Sequence, residues 1–256
     1  MALLDEIISA TRLRVERLKQ EDRSDLSKRA LAQLEPRGFE AALRKQGTAI
    51  IAEIKRVSPL KGPLNEQLDA AAIARAYATG GAAAISVVTE PDFFHGSLGD
   101  LEAACDAGVP VLRKDFILDP LQVLEARASG ADAVLLIVRV VSEQLQDLLK
   151  ATIDHGVDAL VEVYDERDVD LALTAGAPVI GVNHRDLDTF EVDPDRTAKL
   201  SVLIPDDVVL VALSGVSTRG DVEALEGAGA KAVLVGESLV TAADPAAKVR
   251  ELVAES

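Results

Sequence analysis

Cysteine, tryptophan and aromatic side chains in general are scarce in this chain. Of 256 residues one is cysteine and none is tryptophan, and aromatics make up only 3%. A lone thiol, Cys105, excludes an internal disulfide and a thiolate metal cluster, and suits a reducing cytoplasm. The histidines His95, His155 and His184 stand far apart, so no metal is expected. No apolar run approaches the roughly eighteen residues of a membrane span. The start, Met1-Ala2-Leu3-Leu4-Asp5-Glu6, lacks a basic segment leading into an apolar one. No secretory signal is therefore read, and a cytoplasmic location is expected. Positive charge is short too: 27 Lys and Arg face 43 Asp and Glu, a net charge of −16. That balance speaks against a nucleic-acid partner, which needs a basic face. The acid is spread along the chain and the basic residues are mostly arginine. Such a surface suits concentrated salt, where screening removes self-repulsion. The plainer alternative is an ordinary acidic cytosolic protein.

Apolar residues are plentiful, at 48%, so a large core is possible within one domain. Leu3, Leu4, Ile7, Ile8 and Val15 follow helical spacing, and Pro36 and Gly38 break the run. Residues 1–48 are therefore expected to form a helical extension, and residues 49–256 the rest of a single domain. From Ile50 onward short apolar runs recur at Ile50–Lys55, Ala84–Thr89, Val111–Lys114, Ala133–Val138, Ala159–Val163, Val179–Asn183, Val208–Leu213 and Ala232–Gly236. Continuous apolar runs separated by helical stretches are the mark of parallel strands covered on both faces. Gly81-Ala82, Gly130-Ala131, Gly176-Ala177 and Gly229-Ala230 each precede every second run, at spacings of 49, 46 and 53 residues. Each interval holds about two βα units. An open doubly wound sheet is the rival, but no G-x-G-x-x-G follows the first strand. The expected fold is a (β/α)₈ TIM barrel with an N-terminal helical extension.

Function in such barrels sits at the carboxyl ends of the strands. Glu53 and Lys55 alternate onto one face of the first strand, toward the interior. The third strand ends in Lys114-Asp115, the fifth carries Glu162, and the sixth ends in Asn183. Charges that close apolar runs are costly to desolvate unless paired. They read as chemistry or, alternatively, as ion pairs that only hold the barrel together. The loops after the last two strands, Ser214-Gly215 and Gly236-Glu237-Ser238, offer backbone N–H groups to an anion. Ser58-Pro59-Leu60-Lys61-Gly62 is placed to close over the same group. A phosphorylated small molecule is the expected ligand.

Several motifs then converge. Ile51-Ala52-Glu53-Ile54-Lys55-Arg56-x-Ser58-Pro59, Thr89-Glu90-Pro91 with Phe94-x-Gly96-Ser97-Leu98, and Leu112-Arg113-Lys114-Asp115-Phe116 resemble the indole-3-glycerol-phosphate synthase family. So do Leu160-Val161-Glu162-Val163 and Gly181-Val182-Asn183-x-Arg185-x-Leu187, in order from Ile50 to Val240. The resemblance implies a lyase of tryptophan biosynthesis that needs no cofactor. It would convert 1-(2-carboxyphenylamino)-1-deoxyribulose 5-phosphate into indole-3-glycerol phosphate. It implies Lys114 as general acid, Glu162 as general base, and Lys55 as holder of the carboxylate and a second candidate proton donor. Glu53 would orient Lys114 or substrate hydroxyls, Asn183 would orient polar groups, and Phe94 and Phe116 would wall the anthranilate ring. Ser58, Arg185, Leu213, Ser214, Gly215, Gly236, Glu237 and Ser238 complete the expected substrate contacts. A monomer is expected, and other tryptophan-pathway enzymes are its candidate weak partners.

Two positions depart from the family. Leu213 stands where a glutamate is usual, and Leu60 where a small polar residue is commoner. Two other functions remain open at this point: phosphoribosylanthranilate isomerase, and a barrel that binds a sugar phosphate without catalysis. The isomerase calls for a catalytic cysteine, which Cys105, outside any strand end, fits poorly; it reads as a packing residue.

Overall fold

The computed structural model describes residues 3–45, 47–186 and 191–253, and all that follows concerns these. Eight parallel strands close into a barrel: β1 Ala49–Ile54, β2 Ala84–Val88, β3 Val111–Lys114, β4 Ala133–Ile137, β5 Asp158–Val163, β6 Val179–Asn183, β7 Val209–Leu213 and β8 Ala232–Val235. Each follows its neighbour around the ring and β8 pairs with β1. The strands start and stop within one residue of the apolar runs, because both faces of each are buried. The four Gly-Ala steps end helices as expected. Gly81, Gly130, Gly176 and Gly229 all hold φ between 79° and 98°, which admits a tight turn into the next strand.

Alternation divides the apolar residues into two cores. Ile51, Ala84, Leu112, Ala133, Leu135, Leu160, Val179, Val211 and Leu234 fill the barrel. Ile50, Ala52, Ile85, Val87, Val134, Ile180 and Val233 face outward onto the surrounding helices. This packed interior leaves only the strand ends free to build a site.

The extension forms helices α1 Leu3–Leu18, α2 Arg23–Ala32 and α3 Phe39–Leu43. Asp22 caps α2 by accepting from the Ser24 N–H. Phe39 and Leu43 on α3 are wholly buried and join the inner core. The amino ends of the strands fix α3 there. The Asp132 carboxylate just before β4 takes the Arg37 N–H at 2.8 Å and the Arg37 guanidinium at 2.8–2.9 Å. Asp158, which opens β5, takes the Glu40 N–H at 2.9 Å. α1 instead reaches the opposite, carboxyl end, where Ile7 also enters the inner core. Among the described residues no helix is long and apolar enough to cross a membrane.

Candidate active site

A cavity of about 450 Å³ opens at the carboxyl ends of the strands, and all fifteen residues singled out from the sequence line it. Strand geometry delivers them. Lys114, Asn183 and Leu213 are the last residues of β3, β6 and β7, Glu162 is the penultimate residue of β5, and Gly236 directly follows β8. Glu53 and Lys55 sit two residues apart at the end of β1, so the same pleat turns both inward.

On one side a single carboxylate serves two ammonium groups. Glu53, 3% exposed, lies 2.8 Å from Lys55 Nζ and 3.9 Å from Lys114 Nζ. Burial is the largest influence on Glu53 and disfavours its charge. The two lysines and the Lys55 hydrogen bond outweigh it and hold the carboxyl below the usual carboxylate range. Tyr77, buried outside the barrel wall, donates its hydroxyl to the Glu53 carbonyl at 3.2 Å and steadies that backbone.

Across the ring, with three strands between on either side, stands β5 with Glu162, 4% exposed. Glu162 Oε1 accepts from Asn183 Nδ2 at 2.9 Å, while Oε2 is buried with no hydrogen-bond partner. Asn183 Oδ1 accepts from the Arg185 N–H at 3.0 Å and the Ser214 hydroxyl at 2.9 Å. Arg196 grips the Asn183 carbonyl at 2.7 Å and stacks on the Tyr164 ring 3.6 Å from its centre. The cavity therefore presents two lysine proton donors, from the ends of β1 and β3, and the Glu162 carboxylate from β5.

The rim is made of loops. Residues 57–63 form a short antiparallel hairpin, Val57 opposite Pro63 and Ser58 opposite Gly62, that lines the cavity with Ser58, Pro59, Leu60 and Lys61. Lys61 reaches Glu237, which opens the short helix Glu237–Val240 after β8, at 2.6 Å. Gly215 and Ser217 from the loop after β7, and Gly236 and Ser238 at the start of that helix, face the same space. Leu60, the minor departure, is 46% exposed and disturbs no buried contact.

Phe94, Phe116 and Leu213 supply apolar lining, joined by Leu3, Leu4 and Ile7 of α1. The sequence marks those three only as one helix face. Its place over the cavity depends on Arg14, which binds Glu90 at 2.8 Å and Asp92 at 2.7 Å and lies 3.8 Å from Asp115. Glu90, 1% exposed, also accepts from the Phe93 and Phe94 N–H groups at 2.7 and 3.1 Å. One carboxylate thus ties the helix to the loop that carries Phe94. The signal available in the sequence was an apolar stripe with no stated partner.

The remaining candidates lie elsewhere. Cys105 follows an outer helix and donates to the Leu101 carbonyl at 3.2 Å, and burial pushes its thiol up. It does not line the cavity, which removes the cysteine that the isomerase reading needs. His95 is exposed beside Glu66, and His184 is buried against the Thr197 hydroxyl at 2.6 Å. Leu187 of the sequence motif lies outside the described residues.

The profile of the indole-3-glycerol phosphate synthase family matches residues 4–252. The chain belongs to that family. An indole-3-glycerol phosphate synthase of Mycolicibacterium vanbaalenii is 49% identical over 257 residues, covering 98% of this chain and 93% of that one. The enzyme of the same name from Mycobacterium avium is 51% identical over 232 residues, covering 90% and 85%. Among solved structures, thiamine phosphate pyrophosphorylase from Pyrococcus furiosus superposes with a TM-score of 0.62 at 15% identity, covering 84% of this chain and 95% of that one. At that identity the likeness is one of barrel fold alone. Leu213, at the position where a glutamate was expected, lines the cavity.

Proposed function

We propose that the chain is a carboxy-lyase of tryptophan biosynthesis, an indole-3-glycerol-phosphate synthase. It closes the pyrrole ring of 1-(2-carboxyphenylamino)-1-deoxyribulose 5-phosphate and releases CO₂ and water. The observation that carries this reading is the gathering of two lysines that share Glu53, and of the Glu162 carboxylate, in one cavity at the strand ends. Ring closure needs an acid at the substrate carbonyl oxygen, and dehydration needs a base to remove a proton from the new ring.

Lys114 is the general acid. Its 3.9 Å separation from Glu53 leaves its protons less committed than those of Lys55, at 2.8 Å. Lys55, more tightly paired, holds the anthranilate carboxylate and lies within the same donor group. Glu53 orients both lysines. Glu162 accepts a proton in the dehydration, with Asn183 holding its Oε1. Phe94, Phe116 and Leu213 receive the anthranilate ring under the α1 roof. The phosphate sits against the N–H groups of Gly215, Gly236, Glu237 and Ser238, with Ser58 and Arg185 at the rim. No part of this scheme calls on a metal or an organic cofactor.

Incubating the purified protein with the carboxyphenylamino-deoxyribulose phosphate should produce indole fluorescence. Inorganic phosphate should inhibit competitively and raise Tm by mass action. Absence of both effects overturns the reading. We further place the enzyme in the cytoplasm as a one-domain monomer whose acidic surface is adapted to salt. Its Tm should rise between dilute and molar salt, as screening relieves the repulsion of a net charge of −16. A Tm insensitive to salt removes the adaptation.

A further inference from the structure

Ser214 was expected as part of a loop that offers backbone N–H groups to an anion, and its hydroxyl is committed within the protein. It donates to Asn183 Oδ1 at 2.9 Å, and its backbone holds φ 71°, a left-handed conformation uncommon outside glycine. Among the described residues only His95 shares that feature without being glycine. A serine kept there in place of glycine contributes its hydroxyl, and that hydroxyl has one proton to give. With the proton on Asn183, what faces any other group is a lone pair, which an anion repels.

We propose that Ser214 is a positioning residue that fixes the Asn183 amide, and through it holds the Glu162 carboxylate in place for its role as base. Oδ1 of Asn183 meets two donors, the Ser214 hydroxyl and the Arg185 N–H. A flipped amide would set its NH₂ against the Arg185 N–H and its oxygen against Glu162 Oε1, so Nδ2 is directed at Glu162 Oε1. Arg196 on the Asn183 carbonyl keeps the residue from swinging as a whole. Glu162 Oε1 is thereby held by Asn183, while Oε2 is buried without a partner. A buried carboxylate is costly to hold, and this one depends on the amide that steadies it.

The inference rests on Glu162 as the base, and the experiment separates the two. Ser214→Ala and Ser214→Gly both remove the hydroxyl, and the glycine also relieves the backbone. Both should lower kcat about 5–10-fold, the factor carried by one neutral hydrogen bond. KM and the Kd for inorganic phosphate should stay within twofold of the parent. The acid limb of the kcat–pH profile should move to higher pH, because a loosened amide donates less well to the carboxylate. A rise in KM and phosphate Kd with the limb in place would make Ser214 a phosphate ligand and overturn the proposal. An unchanged kcat, or a fall without movement of the limb, overturns it as well. A substrate-free measurement distinguishes failure of the relay from failure of the catalytic reading. The ¹³C carboxyl resonance of Glu162, identified by its loss in Glu162→Gln, should titrate at higher pH in Ser214→Ala. An unmoved midpoint rejects the relay whether or not the parent enzyme turns over.

Discussion

Leu213 occupies the space that a side chain on Gly181 would need: a Cβ there would come within 3.0 Å of Leu213 Cδ1. Leu160 Cδ1 crowds the same point at 3.1 Å, and Leu213 is only 2% exposed. Leu213, at the position where a glutamate was expected, is therefore seated in the barrel wall.

Leu213→Glu should separate catalysis from stability. A carboxylate facing the substrate amino group would gain a charge-assisted hydrogen bond of about 1.5–3 kcal/mol. Leucine gains a comparable amount, about 1.5–3 kcal/mol, by full burial. Binding should change little, whereas an interaction that strengthens in the transition state raises kcat. The expected outcome is higher kcat, KM near the parent value and a lower Tm. An unchanged or lower kcat in a folded variant would show that the wall has been rebuilt around leucine.

Lys114→Ala and Glu162→Gln should each lower kcat by at least roughly 10²-fold, the usual loss with a general acid or base. Phosphate protection against thermal unfolding should persist in both, since neither belongs to the anion loops. Steady-state kinetics with matched melting curves checks this. Near-normal turnover in either variant removes that residue from its role.

Arg14→Ala tests the roof. It leaves Glu90 with backbone donors but no cation, and breaking a buried ion pair from one side costs about 3–5 kcal/mol. Arg14 keeps some exposure, at 20% of its side chain, so the loss should fall below that range. α1 and the Phe94 loop should loosen together, raising KM for the aromatic substrate while the phosphate Kd stays put. Amide exchange that accelerates in α1 without a change in KM would dissociate the roof from binding.

The barrel was legible because each strand is a short apolar run buried on both faces, and a polar residue that closes such a run marks the mouth. Lys114 and Asn183 were found by that rule, and Glu162 nearly so. The roof was not legible. Arg14 and Glu90 are 76 positions apart, and nothing local to α1 states which surface its Leu3, Leu4 and Ile7 face will cover. The bond from the Ser214 hydroxyl to Asn183 was not legible for a related reason: the two are 31 positions apart, and only the fold brings them together.

Stability should fall with acid through His184. Burial first, then the charge of Arg196, holds this imidazole below its ordinary value of 6.5. Below pH 6.5 the unfolded chain takes up a proton that the folded chain refuses, so stability is full above that pH and declines as pH falls toward the folded value. Within that window the slope approaches about 1.4 kcal/mol per pH unit. His184→Gln should lose this component, so the gap in unfolding free energy between parent and variant should change from pH 7.5 to pH 5.5. A gap constant with pH would assign the acid response to other groups.

Gly236 has φ −118°, a backbone angle open to ordinary residues, yet a Cβ on it would stand 2.5 Å from Glu53 Oε1. The need for glycine at the end of β8 is therefore set by a carboxylate on β1 rather than by its own turn. Tolerance at position 236 becomes conditional: alanine there should be disruptive beside Glu53 and far milder once Glu53 is shortened to alanine. The acid that serves both lysines thus carries a dependant in sequence space, and the two positions are free to vary only as a pair.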